Sequence, residues 1–329
     1  MTTTSTGTEL PRGQRGGFFS SASSFSLPVG RHIRPGSAHG YYIDFRVKAD
    51  TPSWPPDWLP PRAQQLHVDV IQWGLGCYEH YVAGEGDEWL QAARDCGVHL
   101  VEIQELEGAT RGGWTHGHPY RHTFPLGSQW VSAMAQGEGA SLLVRLHLAT
   151  GEDRFAERAR LALEPIERLY EEGGVTALLD GRRFPQEYPT DPPSHVLNGG
   201  IFAIWGLYDV AVALGEQPAM DRFEESVDTL ASNIHRWDIG YWSRYDLFPH
   251  PVVNVASSSY HVLHVNQLRA FGEIAPRPEL QHAADRFAAY AESRWNARRA
   301  FARKALFRVL VPRNKLLAGR LPWSRRFER

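Results

Sequence analysis

Four segments of this 329-residue chain repeat one pattern, and that repeat restricts the fold more than any other feature. The first runs IQWGLGCYEHYVAGEGDEWLQAARDCGVHLVEIQ from Ile71. The others begin near Met134 (MAQGEGASLLVRLHLATGEDRF), Leu197 (LNGGIFAIWGLYDVAVALGEQP) and Val265 (VNQLRAFGEIAPRPELQ). Each opens on an amide: Gln72, Gln136, Asn198 and Asn266. In the first three, small residues follow, then an apolar helix and a Gly-Glu turn. In all four an amphipathic helix comes next, with apolar side chains three and four residues apart. The period is about 60 to 70 residues, one αα-hairpin per unit. One hairpin cannot bury its own apolar face, so stacked units share a core. The first helix of each unit is apolar nearly all round and the second carries a charged stripe, as in Asp153, Arg154, Glu157 and Arg158. This contrast favours a ring of inner and outer helices over an open solenoid. The expected class is mainly α: an incomplete α/α barrel, or toroid, with a short N-terminal β arm.

The flanks differ from the repeats. Residues 1–35 are rich in Ser, Thr, Gly and Pro and read as a flexible segment, with Phe18 to Val29 as an arm packed on the body. Residues 36–65 form a short β and loop region. In it Tyr41 to Ala49 (YYIDFRVKA) reads as a strand, and TPSWPPDWLPP as a rigid loop. The repeats fill 66–290. Residues 291–329 are strongly basic with Phe, Leu and Val interleaved. They read as a final amphipathic helix with Arg and Lys facing water, or as a contact to a membrane surface or a glycan-assembly partner. A homodimer is a further expectation.

A net charge of -2 argues against a nucleic-acid partner. Two cysteines, Cys77 and Cys96, make no disulfide framework. The N-terminus lacks the apolar core of a signal peptide, and no uninterrupted apolar run approaches a membrane span. The expected location is cytoplasmic, at most peripheral to the inner face of the membrane. Eleven Trp, twelve Tyr and fifteen Phe suit a cleft that stacks on flat or ring-shaped ligands, although most serve the core.

The connections are asymmetric. Long irregular stretches, 105–133, 174–197 and 238–264, precede the inner helices, so they gather on one face. Loops of this kind carry binding and chemistry. Helix N-termini there favour an anionic ligand. Glu187 and Tyr188 lie between prolines in one loop; Arg244, Tyr245 and Asp246 lie in the next. Tyr260, His261 and His264 precede Asn266. His116, His118 and His122, with Arg121 and Trp130, occupy the loop before the second repeat. No HExxH or CxxC accompanies those histidines, so a ligand groove explains them better than a metal. No phosphate loop, dinucleotide fingerprint or nucleophile elbow occurs, and no cofactor is expected.

Four blocks, SAMAQGEGASLLVRLHLATG, QEYPTDPPSHVLNGGIFAIWGLYD, SRYDL and YHVLHVNQL, resemble in order and spacing the C-terminal catalytic domain of D-glucuronyl C5-epimerases. IQWGLGCY extends the likeness, which spans about residues 65–275. The resemblance implies an α/α toroid that converts D-glucuronate to L-iduronate in a glycan, without a cofactor. It implies Glu187, Tyr188, Tyr245 and Tyr260 as catalytic residues. Around them Gln72, Trp73, His116, His118, Arg121 and Trp130 are candidate substrate contacts. So are Gln136, Asn198, Arg244, His261, His264 and Asn266. The family's arginine after YDL, which would hold the substrate carboxylate, is Phe248 here, and Arg244 is the candidate replacement. The family's W-D before the third tyrosine is Ser258-Ser259. A uronate lyase, a glycoside hydrolase and a non-catalytic carbohydrate-binding relative are the alternatives.

Overall fold

The computed structural model describes residues 27–117, 122–124 and 126–313. The expectations placed on 1–26, His118, Arg121 and 314–329 lie outside the described residues. The rest is mainly helical. The four hairpins are α1 (His67–Val82) with α2 (Asp87–Ile103), α3 (Ala133–Thr150) with α4 (Asp153–Glu167), α5 (Leu197–Leu214) with α6 (Gln217–Asn233), and α7 (Ser258–Ile274) with α8 (Pro278–Glu292). A further helix, α9 (Arg294–Leu310), packs on α7 and α8. The inner helices contact one another in chain order, α1 on α3, α3 on α5 and α5 on α7.

The Gly-Glu turns end two of these inner helices as expected. Gly151 and Gly215 adopt left-handed conformations that cap α3 and α5. The small residues of the repeats have another use. A Cβ on Gly137 would lie 2.5 Å from the Ala203 Cα, and one on Gly206 would lie 2.4 Å from the Gly137 Cα. Hence α3 and α5 pack backbone against backbone. The QGEGA stretch lies inside α3. The α5 helix also corrects the reading of apolar runs. By length and composition it could cross a membrane, with a mean hydropathy of 1.5. Yet 83% of that window is buried among the other helices, as a central core helix should be.

The expected strand at Tyr41–Ala49 is not one. Ile43 makes a single bridge to Val29, and Arg46–Lys48 form a 3-10 turn. Tyr41, Tyr42, Ile43 and Phe45 are all buried, and the backbone pairing stops at two bonds, Gly30 N to the Tyr42 carbonyl (2.8 Å) and Asp44 N to the Pro28 carbonyl (3.0 Å). Other polar groups of the segment find side chains. Tyr41 N donates to Glu79 Oε1 (2.6 Å), and Tyr42 Oη donates to Asp209 Oδ1 (2.6 Å). At its centre Arg145 and Asp209 form a fully buried ion pair (2.6 Å). Arg145 also donates to the Gly40 and Ser141 carbonyls. This knot ties the N-terminal segment to α3 and α5.

Two short antiparallel pairs punctuate the long loops. Thr115–His116 (β1) pairs with Trp130–Val131 (β2) before α3. Thr176–Leu179 (β3) pairs with Arg182–Pro185 (β4) before α5. Asp180 and Gly181, both at positive φ, form the two-residue turn of the second pair.

Candidate active site

Strand β4 delivers the loop that carries Glu187 and Tyr188 to the start of α5. Buried Gln186 fixes this loop from its centre. Its Oε1 accepts from His195 N (2.9 Å) and Ser194 Oγ (3.2 Å), and its backbone N donates to the Val175 carbonyl (2.7 Å). Ser194 Oγ also donates to the Tyr188 carbonyl (2.7 Å). His195 sits in the left-handed region at φ 42°, held by Gln186 on its ring and by Trp237 Nε1 on its carbonyl. The glutamate then rests on the first turn of α5. A Cβ at position 199 would lie 2.4 Å from the Glu187 Cβ and 2.2 Å from its Oε2, so Gly199 makes the space it occupies.

The next loop meets this one. Tyr245 N donates to the Asn254 carbonyl (2.8 Å), and the Tyr245 carbonyl accepts from Leu197 N (3.1 Å), which binds the SRYDL segment to the start of α5. Tyr188 and Tyr245 fall in one apolar cluster with Phe124, Leu126, Trp130, Val196 and Phe248, and Tyr260 packs on its edge. Tyr245 and Tyr260 stand edge to face, 5.1 Å apart. Trp130 lies 5.8 Å from Tyr188, and His122 stacks on Tyr188 at 4.7 Å. All four residues expected to be catalytic therefore share one neighbourhood at the N-terminal ends of the inner helices.

Burial sets the charge states there. It raises the Glu187 carboxyl to about 7; its bond to the Tyr188 phenol pulls the other way, and nearby Asp246 pushes further up. Glu138, on the second turn of α3, is raised well above the carboxylate range, first by burial and then by Glu187 and Asp69. Gln72 Nε2 donates to Glu138 Oε1 (2.8 Å), while Lys48 Nζ donates to Gln72 Oε1. A Lys48–Gln72–Glu138 chain thus ends beside Glu187. Asp246 is fully buried, accepts from Asn254 Nδ2 and pairs with His250 at 3.6 Å.

Because Glu187 holds its proton to higher pH when folded, its stabilising effect is fully present below about 4.5 and is lost as pH rises through about 7. A tenfold change in the affinity for that proton is worth about 1.4 kcal/mol. Glu187→Gln stays neutral throughout, so its melting temperature should climb relative to the parent's between pH 5 and 8. Thermal melts across that range check this; a difference independent of pH contradicts it.

The other expected contacts divide. His116 stacks on Trp130 at 3.9 Å and braces it. Asn198 lies buried in the first turn of α5 beside Gly199. Gln136 is spent on the fold: it accepts from Trp114 N and donates to the Gly112 and Ala162 carbonyls. Trp73 is fully buried, 5.5 Å from Trp54. Asn266 donates to the Leu27 carbonyl (2.9 Å), anchoring the N-terminal segment, whereas the inward amide of that turn is Gln267, which donates to the Asn198 carbonyl (3.0 Å). His261 is clamped between Trp242 (3.7 Å) and the Phe287 carbonyl, and burial lowers its pKa to about 4. His264 contacts Ser243 Oγ (2.9 Å), and burial holds its pKa well below the usual range. The charged neighbours of Arg244 are Asp246, Arg236 and Arg303.

Reading the sequence missed Glu138 and two cations of α9. A lone acid within an apolar inner helix is costly to bury, and that was the available signal for Glu138. Lys304 Nζ lies 5.3 Å from the Tyr245 ring centre and donates to Asn254 Oδ1 (2.7 Å). Burial, then Arg308, lowers its pKa to about 7. Arg308, one turn on, is lowered to about 10 by burial and Arg313, against the pull of Tyr245, Tyr260 and Asp246. The expectation that the basic residues of this helix face water is thus reversed for these two. Trp295, Phe301 and Val309 face outward instead, each 73% exposed. Among the described residues, no three His, Cys, Asp or Glu side chains gather to hold a metal ion. One open cavity of about 310 Å³ lies beside Val252 and Leu306, and another of about 400 Å³ beside Tyr78 and Leu148.

A buried acid and three phenols, on two loops and the first turn of α7, thus meet at one end of stacked helical hairpins, and groups of this kind can take and give protons. The chain belongs to the D-glucuronyl C5-epimerase C-terminus family, whose model matches residues 107–289. The D-glucuronyl C5-epimerase of Caenorhabditis elegans is 31% identical over 202 residues, covering 55% of this chain and 32% of that protein. Uncharacterized protein MJ1128 of Methanocaldococcus jannaschii is 29% identical over 139 residues, covering 40% of this chain and 45% of that one. The chain thus aligns with less than half the length of either relative.

Proposed function

We propose that the protein inverts C5 of D-glucuronate residues in a polysaccharide or oligosaccharide, giving L-iduronate, in a cleft framed by an incomplete α/α toroid. The observation that carries this reading is the meeting of Glu187, Tyr188, Tyr245 and Tyr260 at the N-terminal ends of the inner helices. The C5–H bond breaks as one side chain takes the proton, and the electron pair moves into the adjacent carboxylate. A second side chain then returns a proton to the opposite face. No glycosidic bond is cleaved.

Tyrosine suits either role once its phenolate is supported, because its unperturbed pKa is about 10. Lys304 stands over Tyr245 and offers that support. Glu187, poised near neutrality beside Tyr188, can accept or release a proton through that phenol. Trp130, braced by His116, supplies a flat wall for a sugar ring.

Product analysis by NMR tests the reaction type. Glucuronate-containing oligosaccharides are expected to yield iduronate with every linkage intact. An unsaturated, ultraviolet-absorbing uronate would make the protein a lyase, and new reducing ends without unsaturation would make it a hydrolase. No change across several uronate glycans would leave a binding protein.

A further inference from the structure

We propose that helix α9 forms the cationic wall that receives the substrate's carboxylate, with Arg308 as its direct partner and Lys304 as the second charge. The proposal rests on the epimerase reading and supplies a group that reading lacks. Charge builds on the carboxylate as the C5 proton leaves, so a fixed cation must face it. Phe248 is buried in the aromatic cluster at the position where an arginine was expected, and it carries no charge. Arg244, whose Nε is also buried without a hydrogen-bond partner among the described residues, has Asp246 beside it as well as Arg236 and Arg303, so an acid of the protein already offsets its charge.

The geometry of α9 provides the missing charge. Phe307 anchors the helix, fully buried and edge-on to His250 at 5.0 Å. Lys304 and Arg308, four residues apart, share the face turned toward the tyrosines. Lys304 is tied down by Asn254. Arg308 Nη1 is buried and has no hydrogen-bond partner among the described residues. A buried guanidinium nitrogen left without an acceptor is expensive, and a planar carboxylate is the ligand its fork fits best. Asp246, the acid whose charge reaches Arg308, accepts from Asn254 on one oxygen and lies 3.6 Å from His250. The wall therefore selects a monoanionic sugar acid, and α9 belongs to the site as well as to the chain terminus.

Calorimetry with a glucuronate-containing oligosaccharide and its carboxyl-reduced counterpart tests this on the full chain. The parent should bind the uronate form about 10- to 100-fold more tightly. Arg308→Gln should remove most of that preference and leave binding of the reduced sugar unchanged. Lys304→Gln should lose part of it, and it keeps the test decisive if the first variant does not fold. Arg298→Gln, an exposed cation of the same helix, should retain it, and Arg244→Gln tests the rival cation. A parent with no preference, folded α9 variants that keep it, or loss confined to Arg244→Gln would each overturn the proposal. A preference lost with Arg308 in a protein that performs no C5 chemistry would uphold the wall and reject the epimerase reading.

Discussion

Tyr188→Phe and Tyr245→Phe should each slow inversion at C5 by about 10²- to 10⁴-fold, the usual contribution of a positioned acid or base. Each change removes one oxygen from a packed ring and leaves the aromatic contacts in place. Both tyrosines lie in the same cluster, so melting temperatures should stay within a few degrees of the parent's. The two variants should also fail in different ways. Inversion needs a group on each face of the sugar, but exchange of the C5 proton with solvent needs only one. A variant that retains one competent face should therefore still exchange the proton of one epimer while producing none of the other. Kinetic assays started from glucuronate and from iduronate separate the cases. Parent-like inversion in both variants would mean that the chemistry lies elsewhere.

Arg145→Leu should cost about 3 to 5 kcal/mol, because it strands the buried Asp209 carboxylate. Both side chains of this pair are fully buried, and the Tyr42 phenol and the Gly40 carbonyl depend on it. The loss should lower the melting temperature by roughly 10 °C. It should also loosen residues 40–45 first, since they are held to α3 and α5 through this knot. Arg145→Leu with Asp209→Leu should recover much of the stability, because an apolar pair of similar volume avoids the desolvation cost. Thermal melts of the single and double variants check this. A single variant as stable as the parent would show that the knot is dispensable.

The hairpins were legible because their periodicity comes from burial on one face or on all faces, which a sequence records directly. Glu187, Tyr188 and Tyr245 stood out for a related reason: they occupy proline-rich or irregular loops at repeat boundaries, whereas Tyr260, placed at the end of such a stretch, lies in the first turn of α7. Tyr41–Ala49 misled because its aromatic and β-branched residues are buried on both sides, and composition alone does not separate that state from a strand. The Asp180-Gly181 turn carried a hairpin signal inside a stretch read as one irregular loop. Asn266 and Gln267 differ by one position, and helix rotation decides which faces inward; no spacing rule resolved it. The inward turn of Lys304 and Arg308 had no local signal at all. It depends on Phe307 docking against His250, a contact between segments more than fifty residues apart.

If these loops exchange the C5 proton of a uronate, solvent hydrogen must reach that carbon. Incubating the protein with a glucuronate-containing oligosaccharide in deuterated water and observing C5 by NMR tests this most directly. Deuterium is expected at C5 in both glucuronate and iduronate residues of an uncleaved chain, and it should be lost in the Tyr188→Phe, Tyr245→Phe double variant. Fully protonated C5 across several uronate glycans, with the parent folded and the sugar bound, would contradict the proposed chemistry.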